Sequence, residues 1–103
     1  MSKKANQDVK QLRAIGHKLK PVVTVAGKGL TETVLAELDR ALTDHELIKV
    51  KLAAGSREAR SAMTTQLCEH TGATLVQSIG NVVLILRPSA KPDPKLSNLI
   101  KIL

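Results

Sequence analysis

Residues 21–52 read PVVTVAGKGLTETVLAELDRALTDHELIKVKL, and the reading of this stretch decides the fold. It opens on Pro21-Val22-Val23-Thr24-Val25, a β-branched run begun by a proline, which a strand tolerates as its first residue. Ala26-Gly27-Lys28-Gly29 breaks that run. Thr31 then has the chemistry of an N-cap, with Leu30 and Leu35 at the two positions of a hydrophobic staple. Leu30, Val34, Leu38 and Leu42 recur every four residues, so a helix with one apolar face follows, its other face carrying the local acidic residues. Asp44-His45-Glu46 ends the helix, and Ile48-Lys49-Val50-Lys51-Leu52 alternates as a strand with one wet face does. Strand, helix and strand in succession imply a parallel crossover unit.

Outward from this unit the pattern continues on both sides. Upstream, Asn6 can cap a first helix whose apolar positions are Val9, Leu12 and Ile15, with Gly16 as its stop. Lys10, Arg13 and His17 form a stripe on another side of it. Downstream, Ser56 caps a third helix with Ala59, Met63 and Leu67 inward, ending at Thr71-Gly72. Ala73 to Ile79 and Val82 to Leu86 read as two strands joined by Gly80-Asn81, a glycine-first pair suited to a type II′ hairpin turn. Arg87-Pro88 closes the last strand. The expected architecture is one α/β domain, order α-β-α-β-α-β-β, with a four-stranded mixed sheet to which the closing hairpin adds an antiparallel edge. The second and third helices cover the same sheet. Residues 1–88 form the domain, and 89–103 read as a Pro/Lys linker with a short apolar tail that docks as a helical turn.

Composition narrows the classes of function. The chain has 103 residues, which suits one domain, and no apolar run long enough for a membrane span. The start, MSKKANQD, lacks the apolar segment of a secretion signal, and the single Cys68 suits a reducing cytosol, so a cytoplasmic protein is expected. Phe, Tyr and Trp are absent, which removes any nucleic-acid mode that stacks bases on aromatic rings. The net charge of +7 is uneven. Residues 1–29 carry seven basic side chains and one acidic, residues 30–46 one basic and five acidic, and the remainder eight basic and three acidic. A basic stretch of this kind points to a polyanionic partner.

Catalytic motifs fail on inspection. Gly27-Lys28 matches the end of a phosphate-binding P-loop, but Val22 stands where its first glycine belongs and Gly29 where its hydroxyl belongs. Cys68 and His70 read as a small helical side chain and an exposed histidine rather than a catalytic pair. His17, His45 and His70 lack zinc spacing. No enzyme activity, cofactor, metal or small-molecule substrate is expected.

The same loop makes sense as a binding element. Glycines around Lys28, between a strand and a helix N-terminus, let backbone N–H groups approach an anion at the positive end of the helix dipole. Lys18, Lys20, Lys10 and Arg13 extend the charge upstream. Lys49 and Lys51 lie on one side of their strand, on the face expected to be free of helices, where they are either solvated or in contact with nucleic acid. Arg57 and Arg87, at a helix start and a strand end, either join that surface or satisfy local carbonyls and carboxylates.

With these residues in view, the chain resembles the bacterial YhbY-like CRM domain (chloroplast RNA splicing and ribosome maturation). The resemblance rests on Leu12-Arg13-Ala14-Ile15-Gly16-His17-Lys18-Leu19-Lys20-Pro21-Val22-Val23, Gly27-Lys28-Gly29-Leu30-Thr31, His45 to Lys51, Thr71-Gly72-Ala73, Val76-Gln77, Ile79-Gly80 and Arg87-Pro88, in one order over residues 8–88. It implies a fold similar to the C-terminal domain of the third bacterial initiation factor. It also implies an RNA binder, without catalysis, associated with precursors of the large ribosomal subunit. The family loop is G-x-x-G, similar to the KH backbone clamp. Here Ala26 replaces its first glycine, and Gly27 is expected to take over the conformational role one residue later. Leu86 stands where relatives often carry tyrosine.

The expected RNA-contacting residues are Gly27, Lys28, Gly29, Lys18, Lys20, Arg13, Lys10, Lys49, Lys51, Arg57 and Arg87. The partner is RNA, specifically ribosomal RNA in a large-subunit precursor, with ribosomal proteins as further neighbours. Two other readings stay open from sequence. One is a protein-interaction factor that docks on a ribosomal protein or assembly GTPase through the acidic helix or the apolar tail. The other is a small DNA-binding module.

Overall fold

The computed structural model describes residues 9–99 and orders them as α1 (Val9–His17), β1 (Pro21–Val25), α2 (Glu32–His45), β2 (Leu47–Leu52), α3 (Arg57–Thr71), β3 (Thr74–Ile79) and β4 (Val82–Leu86). The expected cap and staple are present at α2. The Val34 N–H donates to Thr31 Oγ1 at 3.2 Å, and Leu30 and Leu35 both pack against the core. Ser56 caps α3 in the same way, accepting from Ala59 N–H at 3.0 Å. Gly72 ends α3 in the left-handed region at φ +75°, where a side chain would be strained.

The four strands form one mixed sheet in the order β1-β2-β4-β3. β1 and β2 are parallel, and β4 runs antiparallel to both β2 and β3. The hairpin therefore contributes β3 as the edge strand, while the last strand lies inside the sheet. The pattern of burial explains this placement. Val83, Leu84 and Ile85 are buried in succession, so β4 needs cover on both faces, whereas β3 is half-buried or exposed throughout. Gly80 takes φ +57° and Asn81 lies outside the positive-φ region, as a type II′ turn requires.

Each face of the sheet has its own core. On one face α2 and α3 place Leu38, Leu42 and Leu67 over Val23, Val25, Ile48, Val50, Leu52, Val83 and Ile85. Truncating one of these buried leucines to alanine should cost about 2–5 kcal/mol. Ala59 is exposed because the inward face of α3 begins only after its first turn. Thr64 and Thr71 are buried instead, their hydroxyls donating to Arg60 O at 2.8 Å and Leu67 O at 2.7 Å.

α1 lies on the opposite face, where Leu12, Leu47, Leu84 and Leu99 form a smaller cluster with Ile15, Leu19, Val76 and Leu86 against it. Gly16 is not the stop that the sequence suggests. α1 continues through His17, and buried Gly16 faces the sheet so closely that a Cβ there would meet Leu84 Cδ1 at 2.8 Å. The glycine serves close approach of helix to sheet. The Asn6 cap lies outside the described residues.

Glu46 ends α2 at φ +64°, ψ −48°, a strained conformation for a side-chain-bearing residue. It is held from several directions. Its N–H donates to Leu42 O, and its carbonyl accepts from Arg87 N–H at 2.8 Å. Its buried carboxylate accepts from Ser97 Oγ at 3.0 Å and from Ser89 N–H at 3.1 Å. Around it the segment after Pro88 closes onto the domain, with Asn98 Nδ2 donating to Leu47 O and Leu99 buried in the smaller core.

Candidate nucleic-acid interface

The loop after β1 is a tight turn in which the Gly29 N–H donates to Ala26 O at 2.9 Å. Gly29 takes φ +75°, and Gly27 does not have a positive φ. The conformational role expected of Gly27 therefore belongs to Gly29. A Cβ at Gly27 would meet nothing within 4 Å, so no packing within the domain calls for glycine there. What its bare backbone offers is access, beside an exposed Lys28 at the tip.

Two other connections end beside this loop. Ala53 N–H donates to Val25 O at 2.8 Å, and Leu52 N–H to Asn81 O at 2.7 Å, tying the β2–α3 connection to the end of β1 and to the hairpin turn. The N-termini of α2 and α3 therefore open at one end of the sheet. Lys28 and Arg57 stand at those two N-termini and are exposed, exposed Lys51 lies at the same end of β2 on the α1 face, and the dipole ends add about 0.3–1 kcal/mol each for a bound anion. Glu32 and Glu58 lie in the first turns of the same helices and offset part of this charge. Arg60 joins the group one turn further along α3, half-buried in a groove of about 490 Å³ that Arg57, Ser61, Thr64 and Ser78 also line. Sequence reading missed Arg60. Its signal was the i, i+3 spacing from Arg57, which places both on one side of a helix.

The remaining expected residues lie elsewhere on the domain. Lys18 and Lys20 are exposed at the opposite end of β1, about 13 Å from the loop by strand length alone. They and Lys28 are strung along one sheet edge rather than clustered. Lys10 is exposed on the side of α1 turned away from Leu12 and Gly16, and Arg13 is exposed on its flank. Lys49 and Lys51 lie on the α1 face of β2, so that face is not free of helices as expected. α1 covers the half holding Leu47, Leu84 and Leu86, and beyond it Lys49 is half-buried and Lys51 exposed.

Arg87 does not join this surface. Its guanidinium donates to Asp39 Oδ1 at 2.7 Å, Asp39 O at 2.9 Å, Thr43 Oγ1 at 2.9 Å and Thr71 O at 2.9 Å, bolting the end of β4 to α2 and α3. It lies at the end of the sheet remote from Lys28. Leu86 is half-buried against the α1 core, so this position points into the domain. Burial also pushes the Cys68 thiol up, which disfavours the thiolate a nucleophile needs. Among the described residues no three His, Cys, Asp or Glu side chains group as metal ligands. No helix among them is long and apolar enough to cross a membrane.

Comparison with known proteins agrees with this architecture. The CRS1 / YhbY (CRM) domain model matches residues 5–87. A Pseudomonas aeruginosa protein named "Probable RNA-binding protein" is 57% identical over 90 residues, covering 87% of this chain and 86% of its own length. A Haemophilus influenzae protein named "RNA-binding protein" is 44% identical over 85 residues, covering 82% and 86%. The solution structure of a hypothetical protein from Staphylococcus aureus superposes with a TM-score of 0.73 at 28% identity, covering 82% of this chain and 88% of that one. With the family model matching residues 5–87 and a relative 57% identical over most of both lengths, the chain belongs to the CRS1 / YhbY (CRM) domain family.

Proposed function

We propose that this protein binds RNA in precursors of the large ribosomal subunit, holding the phosphate backbone without chemistry on it. The observation that carries the reading is the convergence of Lys28, its accessible glycine backbone, Arg57 and two helix N-termini at one end of the sheet. Lys49 and Lys51 continue the surface onto the sheet, and Lys18 and Lys20 continue it along the β1 edge. The names of the Pseudomonas and Haemophilus relatives support an RNA partner. Phosphate contacts of this kind position a ligand and carry little sequence information.

Charge then dominates affinity. Contacts from Lys18, Lys20, Lys28, Lys49, Lys51 and Arg57 give a log–log salt slope of about −5 on a duplex-DNA scale and about −4 for a single strand. Filter binding to large-subunit precursor RNA fragments across salt concentrations tests this, with duplex DNA as competitor. Lys28→Ala is expected to weaken binding and flatten the slope by about one. A slope near zero, unchanged affinity for Lys28→Ala, or preference for duplex DNA would overturn the proposal. The protein-docking alternative has less to use, since Leu99 is buried in the chain's own core and Asp39 is paired with Arg87.

A further inference from the structure

The half of the sheet that α1 leaves uncovered carries a feature that phosphate binding does not need. Pro21, Lys49, Gln77, Ile79, Val82 and Leu84 line an open hollow of about 230 Å³. This is smaller than the roughly 300–1,000 Å³ of a site for a drug-sized molecule, and suits a single planar ring system. Its walls are mostly apolar, and Ile79 at its rim is 65% exposed, the highest value for a large aliphatic side chain among the described residues. Gln77 is half-buried in the lining, and its side-chain amide has no hydrogen-bond partner among the described residues. A glutamine amide offers a donor and an acceptor together, the pair that reads a base edge. Lys49 in the wall and Lys51 two residues further on the same face put positive charge at the margin, and no acidic residue lines the hollow.

We propose that this hollow receives one unstacked nucleobase of the bound RNA, its faces against Ile79, Val82, Leu84 and Pro21 and its edge on the Gln77 amide. The inference rests on the RNA-binding reading and adds to it a source of sequence preference. Aliphatic walls take the place of the aromatic platforms that this chain cannot build. Charge complementarity selects RNA over an apolar protein side chain as the occupant, because the ring arrives tethered to phosphates that Lys49 and Lys51 meet.

The test uses the full chain and fluorescence anisotropy with single-stranded RNA of about ten nucleotides, in base-bearing and abasic forms of equal charge. The base-bearing strand is expected to bind at least about fivefold tighter than the abasic one, the lower end of what one base-edge contact contributes. Gln77→Ala and Ile79→Ala should each shrink that ratio while leaving the salt slope unchanged. Both side chains are at least partly exposed, and circular dichroism confirms that the variants fold. Lys28→Ala should weaken both strands alike and leave the ratio intact. Equal affinity for the two strands with a steep salt slope would overturn the base pocket while leaving RNA binding standing. Loss of salt-dependent binding to both strands would overturn the RNA reading and this one together. A photoreactive side chain at position 79 is expected to crosslink RNA in cell extract, and a protein adduct in its place would overturn the assignment.

Discussion

Replacing Gly16 with alanine should destabilise the protein, although the same change in an ordinary helix would stabilise it. Alanine in a helix interior gains about 1 kcal/mol over glycine through backbone entropy. Against this, the new Cβ would collide with Cδ2 of Leu84, lie 2.8 Å from its Cδ1 and 3.2 Å from its Cγ. Leu84, 2% exposed and packed with Leu12, Leu47 and Leu99, can retreat only toward the open hollow it lines, which pulls it off that cluster. Overpacking of this kind costs about 1–3 kcal/mol, and three close contacts with a side chain that must leave its cluster to relieve them place it in the upper part of that range. The net expectation is a loss of about 1–2 kcal/mol, read as a lower urea midpoint with an unchanged m-value. A second variant isolates the cause. In a Leu84→Ala background, which itself costs about 2–5 kcal/mol, Gly16→Ala should become neutral or stabilising. If Gly16→Ala raises the midpoint in the otherwise native chain, the close approach of α1 to β4 is refuted.

Arg87→Ala is expected to lower stability by about 2 kcal/mol, since it removes a guanidinium that makes four hydrogen bonds, discounted for the 67% exposure of Asp39. Its salt slope for RNA binding should match that of the native chain, and a slope flattened by about one would return Arg87 to the interface. Glu46→Ala leaves the Ser97 hydroxyl and Ser89 N–H without their buried acceptor, which costs about 2–3 kcal/mol. Hydrogen exchange should show loss of protection at Ser97 and Asn98 before the sheet, and uniform loss throughout would contradict a local clasp. The Cys68 thiol, its pKa raised by burial, holds less thiolate at pH 8 than a free cysteine. Its reaction with a disulfide reagent should be slower than that of free cysteine, and equal rates would contradict the burial.

Much of the fold was legible because local patterns encode it. The spacing of Leu30, Val34, Leu38 and Leu42, the Thr31 cap and the Gly80-Asn81 turn each act within a few residues. The interior place of β4 went unread, although the unbroken run Val82 to Leu86 carries its signal, a need for cover on both faces. The site was less legible. Lysine and arginine look alike in sequence whether solvated, bound or paired, and Arg87 differs from Arg57 only through partners 16 to 48 residues away.

The sequence by itself determined the elements, their order and the excess of positive charge, because periodicity, capping and charge are properties of neighbouring residues. Tertiary structure alone decided which charges face a common ligand. It placed the Lys28 loop beside the start of α3, set Lys18 and Lys20 a strand's length away, and turned Arg87 inward. It also laid α1 over half of one sheet face, with Gly16 against Leu84, and left Lys49 and Gln77 around an open hollow on the other half. Those outcomes depend on strand pairing and helix packing between residues far apart in the chain, where no local pattern reaches.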